Sequence, residues 1–166
     1  MRINKGVEWA VHAAALMVAL PEGAGLSADA LARYHDVPPA YMAKQLQAMS
    51  KAGIIRSMRG ARGGYRLARP PAEISLLDIW LAIEGDAPAY RSTELRQSGP
   101  CGLHADDCSH PCPVAEAFHG AEAAFRNSLK AISLAETTQR VRAVFPAGQM
   151  ARIADWIAAE KVDGVA

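Results

Sequence analysis

Between Ser27 and Leu67 the chain runs through a short apolar helix pattern, a tight connector, a longer helix pattern and a glycine-turned hairpin. That order restricts the fold more than any other feature. Ser27 suits an N-cap for a helix over Ala28 to Tyr34, and Asp29 complements the helix dipole in its first turn. His35-Asp36-Val37-Pro38-Pro39 is the connector. Pro39 suits the first turn of a helix that reaches about Ala52, and Gly53 supplies a C-cap. Ile54 to Met58 and Tyr65 to Leu67 alternate as two strands around Gly60 and Gly63-Gly64.

Upstream, residues 4–20 read as an Ala-, Leu- and Val-rich helix ended by Pro21, Gly23 and Gly25. Downstream, Ser75-Leu76-Leu77-Asp78 reads as a capping box with Asp in the usual Glu position, opening a helix to about Glu84. Residues 85–112 form a long loop that holds every cysteine, and loops of this length inside compact domains tend to be functional. Pro113 opens a longer helix to about Ala131, followed by a helical tail broken at Pro146 to Gly148. The expected fold is mostly α with a small β wing: a winged helix-turn-helix plus a long C-terminal dimerisation helix. Residues 1–84 are the DNA-binding domain, 85–112 the cluster-binding loop, and 113–166 the dimerisation helix and tail.

Helix-turn-helix folds place their second helix in the major groove, which is wide enough to admit it. Pro39, Tyr41, Lys44, Gln45 and Gln47 are its candidate contact residues. Lys and Gln can hydrogen-bond base edges, and Tyr can reach phosphate. Net charge is only +1, so nucleic-acid binding requires local concentration of basic residues. From Lys51 to Arg69 the charged residues are Lys51, Arg56, Arg59, Arg62, Arg66 and Arg69, with no acidic residue among them. Arg59 and Arg62 sit on a glycine-rich tip suited to a minor groove, with Tyr65 after it. The plain alternative is a hairpin of solvated charges.

The three cysteines, Cys101, Cys108 and Cys112, are spaced C-x6-C-x3-C. An odd, clustered set favours metal or redox chemistry over a disulfide framework, and thiolates select zinc or iron–sulfur clusters. Cys112 precedes Pro113 at a helix start, where the dipole favours a thiolate. Cys101, His104, Cys108 and Cys112 would complete a four-ligand zinc set within one chain, and free cysteines without metal are the bland reading. Glu8 and His12 lie four apart on one face of the first helix, where a mutual hydrogen bond is the simplest account. The apolar run from Trp9 to Leu20 is too short for a bilayer, which takes about 20 residues, and no secretory signal is visible, so a cytoplasmic protein is expected.

Several segments carry a resemblance. Met1-Arg2-Ile3, Tyr41-Met42-Ala43-Lys44-Gln45-Leu46, Ala52-Gly53-Ile54-Ile55-Arg56-Ser57, Arg59-Gly60-Ala61-Arg62-Gly63-Gly64-Tyr65 and the cysteine loop are similar to the Rrf-two family of winged-helix transcription regulators, the IscR, NsrR and RsrR type. Gly6-Val7-Glu8-Trp9-Ala10-Val11-His12, Glu94-Leu95-Arg96-Gln97 and Cys108-Ser109-His110-Pro111-Cys112-Pro113 most resemble the RsrR type, redox sensors with a [2Fe-2S] cluster. The resemblance implies a homodimer that shares the cluster across its interface. Glu8 and His12 would come from one chain, and Cys108 and Cys112 from its partner. Trp9 is implied as the switch that moves the helix-turn-helix. Histidine ligation raises a [2Fe-2S] potential. Cys101 departs from that ligand set. As a ligand it would point to a [4Fe-4S] repressor that senses nitric oxide or oxygen. A regulator with a structural zinc and an iron–sulfur electron carrier are the other readings. The carrier lacks any nucleotide-binding glycine motif and leaves the basic wing without purpose. The expected partner is a near-palindromic double-stranded DNA operator, with no enzymatic activity and no membrane.

Overall fold

The computed structural model describes residues 4–58 and 63–163. Helix α1 spans Lys5–Met17, and the Asn4 side chain caps it by accepting from the Gly6 amide at 2.8 Å. Its end is tighter than the apolar pattern to Leu20 suggests. The amides of Val18, Ala19 and Leu20 bond to carbonyls three residues back, which closes the helix in 3₁₀ geometry. Val7, Ala10, Ala13, Ala14, Leu16 and Met17 are buried, and the small alanines let α1 run through the middle of the domain.

Helices α2 (Ala28–Tyr34) and α3 (Pro39–Lys51) follow. Ser27 caps α2, its side chain accepting from the Ala30 amide at 3.1 Å. Asp36 turns the chain between them in the left-handed region at φ +50°, a conformation that Asp tolerates better than most residues. Helix α3 ends in a Schellman motif: Ile54 N–H donates to Met49 and Gly53 N–H to Ser50, both at 3.0 Å, with Gly53 at φ +69°. Strands β2 (Ile55–Ser57) and β3 (Tyr65–Leu67) then pair antiparallel.

The wing has more strands than the sequence pattern suggests. A two-residue strand β1 (Ala24–Gly25) precedes α2, and Leu26 exchanges backbone hydrogen bonds with Tyr65 on β3. On its other side β1 pairs with β4 (Val162–Asp163) from the far end of the chain. Helix α4 (Leu76–Glu84) opens with the expected capping box, Ser75 and Asp78 each accepting the other's amide. It packs on both α1 and α3. The core gathers where these helices meet, around Leu31, Met42, Leu46, Met49, Ile54, Ile74, Ile79 and Leu134.

Residues 85–112 carry only two short 3₁₀ turns, Leu95–Gln97 and Ala105–Asp107. Helix α5 (Pro113–Lys130) lies against α4, with Phe125 edge-on to Trp80 at 5.6 Å and the Arg126 guanidinium over the Trp80 ring at 5.3 Å. Only Ala115 of α5 is buried. Helices α6 (Leu134–Val144) and α7 (Ala147–Glu160) complete the chain, and Pro146 separates them. Helix α7 returns to the helix-turn-helix. Its Trp156 meets Tyr34 at 4.5 Å, and Glu160 pairs with Arg33 at 2.8 Å.

Candidate nucleic-acid interface and cysteine loop

Helix α3 sorts its side chains by helical period. Met42, Gln45, Leu46 and Met49 face the core, while Pro39, Ala40, Tyr41, Lys44, Gln47 and Lys51 face out. Tyr41 and Lys44 therefore stand on the exposed face expected of them, and Tyr41 is 57% exposed. Gln45 does not. It is 6% exposed and its amide lies against α1, where a Cβ on Gly6 would come within 2.9 Å of it. The expectation that Gln45 reads DNA is corrected: its spacing from Met42 and Met49 puts it in the buried stripe, and it seats α1 on α3. That spacing is visible in the sequence; the polar side chain conceals it.

On the wing, Arg56 is exposed, and Tyr65 and Arg66 are half-buried. Arg56 sits directly opposite Arg66 across the β2–β3 ladder. Like charges in facing positions repel, so this pair favours a counterion that bridges it. Neither arginine makes an ion pair among the described residues. The tip arginines Arg59 and Arg62 lie outside the described residues.

Trp9 connects the first helix to this face. Its ring meets Tyr41 edge-on at 6.0 Å, at the start of α3. The two line a groove of about 620 Å³ with Asn4, Lys5, Lys44 and Glu84. Glu84 closes that end by accepting from the Asn4 amide at 3.1 Å. One residue before Trp9 and three after it, Glu8 and His12 are exposed on α1. Both line a second groove with Lys5, Trp9, His35 and Asp36. His35 sits in the turn between α2 and α3, 5.7 Å from the His12 ring. Burial, and secondarily the neighbouring His12, push its pKa down to about 4, so it is the neutral imidazole near pH 7. His35 is not singled out by the sequence patterns above; its place in the turn, flanked by Tyr34, is the available signal.

In the loop, Cys108 and Cys112 are half-buried and Cys101 is exposed. Cys112 is the N-cap residue of α5, and its carbonyl accepts from the Glu116 amide at 2.9 Å. Glu94 grips Arg96 with both carboxylate oxygens. Those hydrogen bonds hold Arg96 above its ordinary pKa, and the charges of Cys108 and Cys112 act in the same direction. In the sequence Arg96 stands out only as part of a motif, and this charge relation gives it a role.

Among the described residues no three His, Cys, Asp or Glu side chains converge within one chain. The zinc set of Cys101, His104, Cys108 and Cys112 is therefore not gathered here. Glu8 and His12 stand four residues apart on α1, and Cys108 and Cys112 four apart at the loop–α5 junction. Imidazole, carboxylate and thiolate are together a fitting donor set for an iron–sulfur centre with mixed ligation when two chains contribute.

The family model described as an iron-dependent transcriptional regulator matches residues 3–140. The chain belongs to the Rrf2 family. Over 157 residues it is 30% identical to YwgB of Bacillus subtilis, described as an HTH-type transcriptional regulator, covering 95% of each chain. It is 31% identical over 132 residues to protein aau3 of Rhizobium meliloti, covering 79% of this chain and 76% of that one. Among solved structures, T. potens IscR superposes with a TM-score of 0.65 at 23% identity, covering 91% of this chain and 96% of that one. CymR, the global cysteine regulator of B. subtilis, gives 0.64 at 20% identity, covering 84% and 98%. The oxidised form of Staphylococcus aureus CymR gives 0.62 at 22%, covering 83% and 96%. The structural likenesses show the winged-helix fold. This Rrf2 chain is a DNA-binding transcription regulator, as its relatives are. No described helix is long and apolar enough to cross a membrane.

Proposed function

We propose that this Rrf2 regulator senses redox state through a [2Fe-2S] cluster shared by two chains, and so sets its affinity for a near-palindromic operator. The observation that carries the reading is the position of Trp9. It lies between Glu8 and His12 in sequence and touches Tyr41 at the head of the recognition helix. A change at the two outward side chains is one contact away from a DNA-facing one.

Glu8 and His12 would hold the group from one chain, and Cys108 and Cys112 from its partner. When bound, such a group supplies a one-electron change of charge. The chain's own residues do the rest. Arg96 offsets the two thiolates, with Glu94 fixing its guanidinium. The start of α5 adds the positive end of a helix dipole at Cys112. Trp9 reports on the charge beside it by packing against Tyr41 or leaving it, which makes the α1–α3 contact the two-state element.

The dimer reading rests on α5. Val114 and Phe118 are more than half exposed there, and Leu95 in the neighbouring loop is 75% exposed. An apolar face of this kind needs a partner, and α5 of a second chain suits a two-fold contact. Residues 1–84 would form the DNA-binding domain, 85–112 the cluster loop and 113–166 the dimer helix and tail. Two recognition helices would then stand about 34 Å apart. Lys44 and Tyr41 would face the major groove. Arg56, Tyr65 and the tip arginines Arg59 and Arg62 would contact the backbone and the adjacent minor groove.

The test is iron, sulfide and zinc content with a visible spectrum on anaerobically purified protein, before and after dithionite. Two irons and two sulfides per cluster with reversible bleaching support the reading. Four irons would bring Cys101 into the site, and zinc alone would remove the redox mechanism while leaving a DNA-binding regulator.

A further inference from the structure

Behind the exposed face of α1 lies a half-open, mostly apolar cavity of about 120 Å³. Its walls come from four helices. Leu16 lies on α1, Val141 and Phe145 at the end of α6, and Ile153 on α7, while His35 closes the side nearest the helix-turn-helix. Arg142 stands at the exposed rim. Two features are not explained by packing. The Nε2 atom of His35 is shut off from solvent and has no hydrogen-bond partner. Arg142 forms no ion pair among the described residues, although its neighbour Arg140 does. An orphaned buried nitrogen calls for an absent partner such as a water, an ion or a ligand.

Size and chemistry together narrow the occupant. An apolar protein cavity of roughly 150 Å³ admits a benzene ring. A cavity slightly smaller, with apolar walls and a guanidinium at its mouth, suits a short apolar body that ends in a carboxylate. We propose that this cavity is a binding site for a small apolar monocarboxylate, its ring or chain held among Leu16, Val141 and Ile153 and its carboxylate paired with Arg142. Part of the site, including Ile153, belongs to residues beyond 140, outside the segment that matches the family model. The ligand would touch α1 on one side and the α2–α3 turn on the other, and His12 lines this cavity as well as the outer groove. The proposal does not depend on the cluster, so it stands or falls separately.

The experiment is saturation-transfer NMR titration of the purified full chain with benzoate, and with benzyl alcohol as a neutral probe of similar size. The expected result is saturable benzoate binding that weakens about fivefold or more in Arg142→Gln, as removal of a charge-assisted hydrogen bond dictates. Benzyl alcohol should bind more weakly and be indifferent to Arg142→Gln. Ile153→Trp, which fills the cavity, should abolish both. Arg142 is exposed, so Arg142→Gln keeps the test decisive if Ile153→Trp fails to fold. Absence of saturable benzoate binding overturns the site. So does benzoate binding that is unchanged in Arg142→Gln, and so does benzyl alcohol binding as tightly as benzoate.

Discussion

Gly64 shows how little room a single position leaves in this fold. A Cβ there would meet Val162 Cγ2 at 2.7 Å and the Leu26 carbonyl oxygen at 3.1 Å. The backbone of the wing, the strand before α2 and the C-terminal strand converge on one missing methyl group. Gly64→Ala should therefore cost about 1–3 kcal/mol, the usual range for overpacking. Urea denaturation would measure it as a lower midpoint at unchanged slope. The polar surface residues carry a different prediction. Arg56→Ala should weaken operator binding and reduce the salt slope by about 0.9, the value expected when one fewer phosphate is neutralised, whereas Lys44→Ala should weaken binding by relaxing base preference. Gln45→Ala should leave that slope unchanged and lower stability instead, because its amide fills space beside Gly6. At this scale the sequence is legible wherever residue type and helical spacing agree, as they do for Tyr41 and Lys44. Gln45 misleads because its chemical type speaks for a surface position while its place three residues after Met42 and four before Met49 speaks for the core.

Among the elements, those with local punctuation are legible. The bounds of α2 follow from Ser27 and the connector, those of α3 from Pro39 and Gly53, and those of α4 from its capping box. The pairing of β1 with β4 is not legible. Each strand is two residues long and they meet across almost the whole chain, so neither shows a period. The result is a C-terminal strap: Trp156 on Tyr34, Glu160 with Arg33, and β4 on β1. Trp156→Ala should cost about 2 kcal/mol, below the range for a fully buried Trp because the ring is half-buried. Hydrogen exchange should show the loss of protection spreading to α2 and the β1–β4 pair, whereas a purely local effect would stay within α7. Glu160→Gln should change stability by less than about 1 kcal/mol, since the pair with Arg33 is solvent-exposed.

For the whole molecule, the proposed reading divides function between two chains. One chain presents an exposed Glu8 and His12 on α1 and a pair of half-buried cysteines at the loop–α5 junction, with no convergence of three ligands among the described residues. The residues of both pairs can be named from the sequence, because the motifs around them resemble those of a known family. Their union across two chains is likewise implied only by that resemblance, since spacing along one chain says nothing about a neighbour's loop. Phe118→Asp, on the exposed face of α5, should yield a monomer in sedimentation and lose iron and operator binding together. The most direct test of the central claim is a mixed dimer. Glu8→Ala/His12→Ala chains and Cys108→Ser/Cys112→Ser chains, carrying different tags, are co-expressed and the heterodimer is isolated anaerobically. Shared ligation predicts that neither homodimer holds a cluster while the heterodimer holds one, with two irons and a bleachable visible spectrum. A heterodimer as empty of iron as the two homodimers would contradict the account.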